Sequence, residues 1–298
     1  MQSRGLAWRL VAPALFFELL IHILPMLTGI TMSFLSINQF NLANWLHAPF
    51  VGLANYRVGV SPASPIGSSF LSSIRVTFAF TALVVLCSVG IGLGAALLMN
   101  RPFPGRAVVR TIYLIPYAMP VFVTGILWRF MFLRNGAVNT LLVNVFHLAD
   151  HPLFWLIGSN AFWSIVIVAL WRLWPFCFLM FLAGLQAIPT DLYEAVSIDG
   201  GGAWAQFRQI TLPLMRPVLS ITTLVTTLWT FNDFTTPFTL LGSGLPASAD
   251  LMAVHIYDNA FLHWQFGIGS AMSVMMLVIM LIFTILYNRA LRVGSEVA

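Results

Sequence analysis

Long apolar runs dominate the chain, separated by short polar segments. Six lie at about residues 10–35, 71–99, 111–133, 160–187, 214–241 and 266–290. At 1.5 Å of rise per residue, each is long enough to cross a hydrocarbon core of ~30 Å as a helix. The pattern predicts an all-α membrane protein with six transmembrane helices. Prolines fall inside several runs, at Pro25, Pro116, Pro120, Pro175, Pro217 and Pro237. Membrane helices tolerate proline where neighbours re-satisfy the freed carbonyls. Arg4 and Arg9 precede the first run, as in a signal peptide. That run far exceeds a signal h-region of roughly 7–15 residues, and no small-residue cleavage site follows. It reads as an uncleaved first helix.

Composition narrows the class. Hydrophobic residues make up 59 % and charged residues 8 %, against about 25 % charged in a soluble domain. A water-soluble enzyme is excluded, and so is a disordered chain. All 14 basic residues are arginine, and the net charge is +5. The excess is too scattered for a nucleic-acid surface, but its placement sets the orientation. Nine arginines (Arg4, Arg9, Arg101, Arg106, Arg110, Arg208, Arg216, Arg289 and Arg292) fall on one set of ends and loops, and three (Arg57, Arg75 and Arg134) on the other. The excess predicts both termini in the cytoplasm. The loop after the fifth helix, with Asp250 and Asp258 and no arginine, then lies outside. Trp8, Trp45, Trp155 and Trp264 sit near the predicted interfaces, as aromatic belts do. The largest outside loop, Ser36 to Phe70, is long enough for a small cap. Cys87 and Cys177 lie in apolar runs and read as core residues.

Signatures of chemistry are missing. No H-E-x-x-H, Walker A or G-x-S-x-G occurs, and the six histidines lack metal-ligand spacing within one helix. The reading therefore assigns no catalytic and no metal-binding residue. The polar residues inside the apolar runs carry more information. A charge at depth costs at least ~2.5–3.5 kcal/mol on insertion scales, so each one poses a functional question. Arg172 lies roughly 18 Å along the fourth helix from Asn160, and Asp233 roughly 12 Å from Leu241 on the fifth. An arginine side chain can span the offset of about 6 Å. Both are predicted to face a polar cavity and to pair when it is empty; a purely structural ion pair is the alternative. Glu18 and His22, four residues apart, share a face of the first helix. They suit an interhelical contact or, less simply, a proton relay. Gly90 and Gly94 form a small-xxx-small face that admits a close helix neighbour.

The most informative polar segment is 188–213. Glu194, Ala195 and Ile198 share a face of a short helix, Gly200–Gly202 end it, and a second short helix from Trp204 to Ile210 stops at Pro213. A short helix shown on a cytoplasmic loop is a handle for a soluble partner. The segment resembles the EAA loop of the membrane subunits of bacterial ABC importers. That pattern is E-A-A, three residues, G, nine residues, I, one residue, L-P. Counting from Glu194 and Ala195 places Gly200, Ile210, Leu212 and Pro213 as required, with Val196 in place of the second alanine. The resemblance implies that Glu194, Ala195, Val196, Asp199, Gly200, Ile210, Leu212 and Pro213 form the ATPase-coupling region.

The similarity extends along the chain and points to the sugar-type permeases for maltose and glycerol-3-phosphate. Gly52-Leu53-Ala54-Asn55-Tyr56 resembles the G-L-x-N-Y of their first outside loop. Arg110 through Pro116 to Pro120 resembles the start of their third common helix, and Ala183 to Pro189 the approach to the EAA loop. Phe231-Asn232-Asp233-Phe234 and Tyr257 to Phe261 complete the match. In maltose-type permeases the positions matching Arg172, Leu173 and Phe176, and Thr226, Trp229, Thr230 and Asp233, lie at the sugar pocket. Trp229 and Phe176 suit stacking on a sugar face, while Asp233 and Asn232 suit hydroxyl hydrogen bonds. Arg172 replaces an apolar residue common there, which admits a phosphate-bearing or acidic ligand. The resemblance implies one permease domain over 1–298 in a bacterial cell membrane. It implies a second homologous permease, two ABC ATPase subunits and an extracytoplasmic solute-binding protein as partners. This chain would hold no cofactor; ATP and Mg would sit in the ATPases. The rival reading is an ion-coupled transporter that works without an ATPase through Glu18, His22 and Asp233.

Overall fold

The apolar runs are helical. The computed structural model describes residues 2–296, and side chains for Trp8 and for Leu10 to Leu291; the side chains of Arg4, Arg9 and Arg292 lie outside the described residues. The helices are α1 (Gln2–Glu18), α2 (Leu24–Met32), α3 (Ala54–Val60), α4 (Pro65–Asn100), α5 (Arg106–Ala118), α6 (Val121–Met131), α7 (Ala137–Asn139), α8 (Asn160–Gln186), α9 (Thr190–Ile198), α10 (Ala203–Gln206), α11 (Leu212–Phe231), α12 (Thr235–Leu241), α13 (Met252–Tyr257) and α14 (Phe266–Glu296). Among the described residues five segments are long and apolar enough to span a membrane: Leu10–Met32, Pro65–Asn100, Asn160–Gln186, Ala203–Phe231 and Phe266–Leu291. A sixth is reached if α5 and α6 count as one span.

Three elements depart from the sequence expectation, each at a proline. The run at 111–133 is two helices bent by 93°. Met119, just before Pro120, is extended at φ −75°, ψ 135°, because a proline ring disfavours the helical region for the preceding residue. The run at 214–241 breaks at Asn232–Phe234, and α12 starts anew two residues before Pro237. Conversely, the second short helix of the 188–213 segment does not stop at Pro213. A π turn over Phe207–Thr211 joins α10 to α11, with the Leu212 N–H donating to the Phe207 carbonyl. The wider turn accommodates a proline that lacks an N–H and crowds the turn before it. Pro25 shows the same device, behind a π turn over Leu19–Ile23.

The chain divides into two compact units, residues 1–71 with 255–282 and residues 72–254 with 283–298. In the first, the G-L-x-N-Y stretch has a structural task. Gly52 takes a left-handed φ of 55°. Asn55 Nδ2 donates to the carbonyls of Ser33 and Leu35 at 2.9 Å each, and the Tyr56 hydroxyl meets Ser33 Oγ at 2.6 Å. These bonds tie the 52–56 segment to the end of α2.

The second unit holds two apolar cores. One gathers Phe80, Val84, Phe132, Ile165, Leu173 and Leu240; the other Met99, Cys177, Phe178, Phe181, Leu185 and Met215. The half-helices α6 and α12, both products of the breaks, pack on each other, with Gly125 facing Thr239. The close approach of α4 to α8 is made by Gly92: a β-carbon there would stand 2.6 Å from Cys177 Cβ. Gly90 and Gly94, the pair picked out by spacing, have open space where a β-carbon would sit.

Candidate coupling loop and substrate pathway

The 188–213 segment is a braced hairpin of short helices. Helix α9 ends in a Schellman motif: Gly201 N–H donates to the Val196 carbonyl at 2.8 Å and Gly200 N–H to the Ser197 carbonyl at 3.1 Å. Gly200 carries the required left-handed φ of 78°. Gly201 is needed for room, since a β-carbon there would lie 2.5 Å from Val196 Cγ1. Gln206 then ties the returning strand of chain to α9, donating to the Tyr193 carbonyl at 3.2 Å and to Ser197 Oγ at 2.9 Å. The Tyr193 hydroxyl meets Thr211 Oγ1 at 3.1 Å. These bonds brace the hairpin from within. It nevertheless shows apolar side chains to solvent: Ile198 is 85 % exposed and Trp204 72 %. Trp204 is held by stacking on Phe207 at 5.6 Å. Glu194, Ala195, Asp199, Gly200 and Leu212 are exposed, while Val196, Ile210 and Pro213 are half-buried.

The polar residues of the fourth and fifth runs also meet. Arg172 on α8 faces Asp233 at the break after α11, with a guanidinium nitrogen 3.6 Å from Oδ2. The Asp233 side chain is 5 % exposed and that of Arg172 22 %. Asp233 Oδ1 accepts the Thr236 N–H at 3.0 Å, which caps the start of α12. The break thus turns a carboxylate inward and fixes it. Oδ2 and Arg172 Nε have no hydrogen-bond partner among the described residues. Beside the pair, Phe176 and Trp229 lie 4.8 Å apart at 50°, and Tyr117 continues the cluster at 5.9 Å from Phe176. Trp229 is 47 % exposed and Asn232 is exposed. Leu173, Thr226 and Thr230 are buried behind them. The two threonine hydroxyls bond carbonyls of their own helix, at 2.7 and 2.8 Å.

A family model described as the binding-protein-dependent transport system inner membrane component matches residues 88–292, which contain both features. The chain belongs to this family. It is a multi-pass inner-membrane component of a transport system of that type. Relatives span its length. It is 38 % identical over 251 residues to the trehalose/maltose transport system permease protein MalF of Thermococcus litoralis, covering 83 % of this chain and 80 % of that protein. To the sn-glycerol-3-phosphate transport system permease protein UgpA of Agrobacterium fabrum it is 32 % identical, covering 95 % and 93 %. The fold matches a chain in the crystal structure of a bacterial ABC transporter involved in the import of the acidic polysaccharide alginate. The TM-score is 0.79 at 19 % identity, over 98 % of this chain and 96 % of that one.

Several residues of the permease were not singled out from sequence. Tyr193, Ser197, Gln206 and Thr211 brace the hairpin, Thr236 fixes Asp233, and Tyr117 extends the aromatic cluster. Asp233 followed by Thr235, Thr236 and Pro237 carries the cap-then-proline signature of a helix start, a signal for the break that an apolar-run reading passes over. Tyr117 has no such signal, since it reaches Phe176 through the packing of α5 on α8.

Proposed function

We propose that this permease forms half of the pathway of an ATP-driven importer for a carbohydrate or carbohydrate-like solute: a sugar, an oligosaccharide or a glycerol-phosphate derivative. The observation that carries the reading is the braced hairpin around Gly200, which holds Ile198 and Trp204 out as apolar anchors. Anchors of this kind, fixed before contact, suit insertion into a cleft of a soluble partner. That partner is an ABC ATPase pair in the cytoplasm, where the arginine bias puts the hairpin and both termini. ATP and Mg bind there, and this chain is non-catalytic, with 1–298 acting as one permease domain. A second homologous permease completes the pathway, and an extracytoplasmic solute-binding protein delivers the solute.

The mechanism follows from continuity. Ala203 to Phe231 is one helical segment of 29 residues, about 43 Å long. One end belongs to the hairpin and the other leads into the break that holds Asp233. Helix α8 enters α9 through Ala187–Pro189 and carries Arg172. Movement of the hairpin by closing ATPases therefore shifts Asp233 against Arg172 and alters the site between Phe176 and Trp229. The hydroxyls of a sugar can bridge the Arg172 N–H groups and Asp233 Oδ2, and the aromatic rings can take its C–H face. Two arrangements, each favoured by a different nucleotide and solute state, give alternating access.

The test is recovery of partners. The tagged wild-type chain should co-elute with an ATPase pair from detergent-solubilised membranes. Substitution of Glu194→Ala with Gly200→Ala should release the ATPases while leaving the chain in the membrane. Retention of the ATPases at wild-type level by that variant would remove the coupling assignment.

A further inference from the structure

Taken alone, Arg172 admits an anionic solute. In the fold it does not stand alone. Asp233 faces it, with Oδ2 3.6 Å from a guanidinium nitrogen. The break between α11 and α12 holds that carboxylate in place from both sides. The Asp233 N–H donates to the Thr230 carbonyl at 3.2 Å, and Oδ1 accepts the Thr236 N–H at 3.0 Å. No second cationic side chain pairs with Asp233 among the described residues. The pair therefore carries one positive and one negative charge and is neutral overall. The carboxylate is the more deeply buried of the two, 5 % exposed against 22 % for Arg172. A phosphate or carboxylate that took the guanidinium would leave Asp233 buried and unpaired, or crowd two anions round one arginine. Breaking a buried pair in this way is strongly unfavourable. A neutral polyol incurs neither cost. Its hydroxyls donate to Oδ2 and accept from the guanidinium at once. The rings of Phe176 and Trp229, 4.8 Å apart, take its C–H face.

We propose that Asp233 masks the charge of Arg172 and so restricts the pathway to uncharged, hydroxyl-rich solutes, turning away phosphorylated and carboxylated ones. Asp233 is then the residue that sets charge selectivity in this chain. That selectivity is separate from any choice made by a solute-binding protein. The inference rests on the importer reading above and narrows the carbohydrate-like solutes which that reading allows.

The test is equilibrium dialysis of radiolabelled trehalose and trehalose 6-phosphate, which differ by the phosphate group, against the purified complex without a solute-binding protein. It compares wild type, Asp233→Asn, Asp233→Ser, and Asp233→Asn with Arg172→Gln. Asparagine and serine keep a cap for the Thr236 N–H while removing the charge, and recovery of the complex controls for folding. The affinity for trehalose 6-phosphate is the decisive reading. It should rise in both single variants by about ten- to a hundredfold over wild type, the range of one charge-assisted hydrogen bond. The double variant should lose that gain. Equal affinity for the phosphate in wild type and in both single variants overturns the proposal, as does a wild type that prefers the phosphate to trehalose. A gain that survives in the double variant also overturns it, since Arg172 is then not the group unmasked. Failure of both single variants to assemble marks the pair as structural and overturns it too. ATPase recovery with wild type reports separately on the importer reading, so failure of one is distinct from failure of the other.

Discussion

Replacing Gly200 by alanine changes the backbone and nothing else. No atom lies within 4 Å of the position its β-carbon would take, so a steric clash contributes nothing. The φ of 78° is the whole cost. A residue with a β-carbon is disfavoured in the left-handed region by roughly 1–2 kcal/mol. That is a factor of about 5–30 in the opening equilibrium of the Schellman turn. Asparagine enters this region far more readily, so Gly200→Asn should recover most of the loss. Hydrogen exchange of the purified complex reads this directly. The amides of Gly200 and Gly201, bonded to the Ser197 and Val196 carbonyls, should exchange faster by about that factor in Gly200→Ala and near wild-type rate in Gly200→Asn. ATP-driven uptake should fall in the same order. Equal exchange in the two variants would show that backbone conformation at Gly200 does not hold the hairpin.

Other consequences are as specific. Arg172→Ala should abolish uptake while the complex still assembles; loss of assembly would mark the Arg172–Asp233 pair as structural. Gly92→Ala should lower the thermal midpoint of the detergent-solubilised protein, by an overpacking cost of about 1–3 kcal/mol, whereas Gly90→Ala, in open helical space, should not lower it. Gln206→Ala removes two hydrogen bonds across the hairpin, worth about 1 kcal/mol each. It should raise exchange of the 193–207 amides without changing membrane yield. Trp229→Ala should weaken solute-stimulated ATP hydrolysis more than the basal rate, measured at several solute concentrations.

The spans were legible because membrane length and hydropathy admit few solutions. Their breaks were less so. A proline inside an apolar run can kink a helix, be absorbed by a π turn or end it, and the outcome depends on neighbours. Pro120 ends α5 and opens α6, while Pro213 is absorbed. The hairpin was readable through fixed spacing from Glu194 to Pro213, because a left-handed turn and a close turn-to-turn contact demand glycine at set places. Its bracing by Gln206 was not, since a side-chain bond across a turn leaves no periodic trace. The Arg172–Asp233 encounter followed from depth arithmetic alone, although Asp233 reaches it from a helix break. Gly92, midway between the two members of the small-xxx-small pair, shows that spacing finds candidate faces and packing chooses among them.

The central claim is that movement of the 188–213 hairpin by an ATPase drives solute through this chain. It is tested most directly by uptake into liposomes holding the purified complex and the solute-binding protein, with ATP or a proton gradient as the energy source. The account predicts uptake that needs ATP, ignores the gradient and falls in Gly200→Ala. Uptake driven by the gradient in liposomes holding this chain without an ATPase would contradict it.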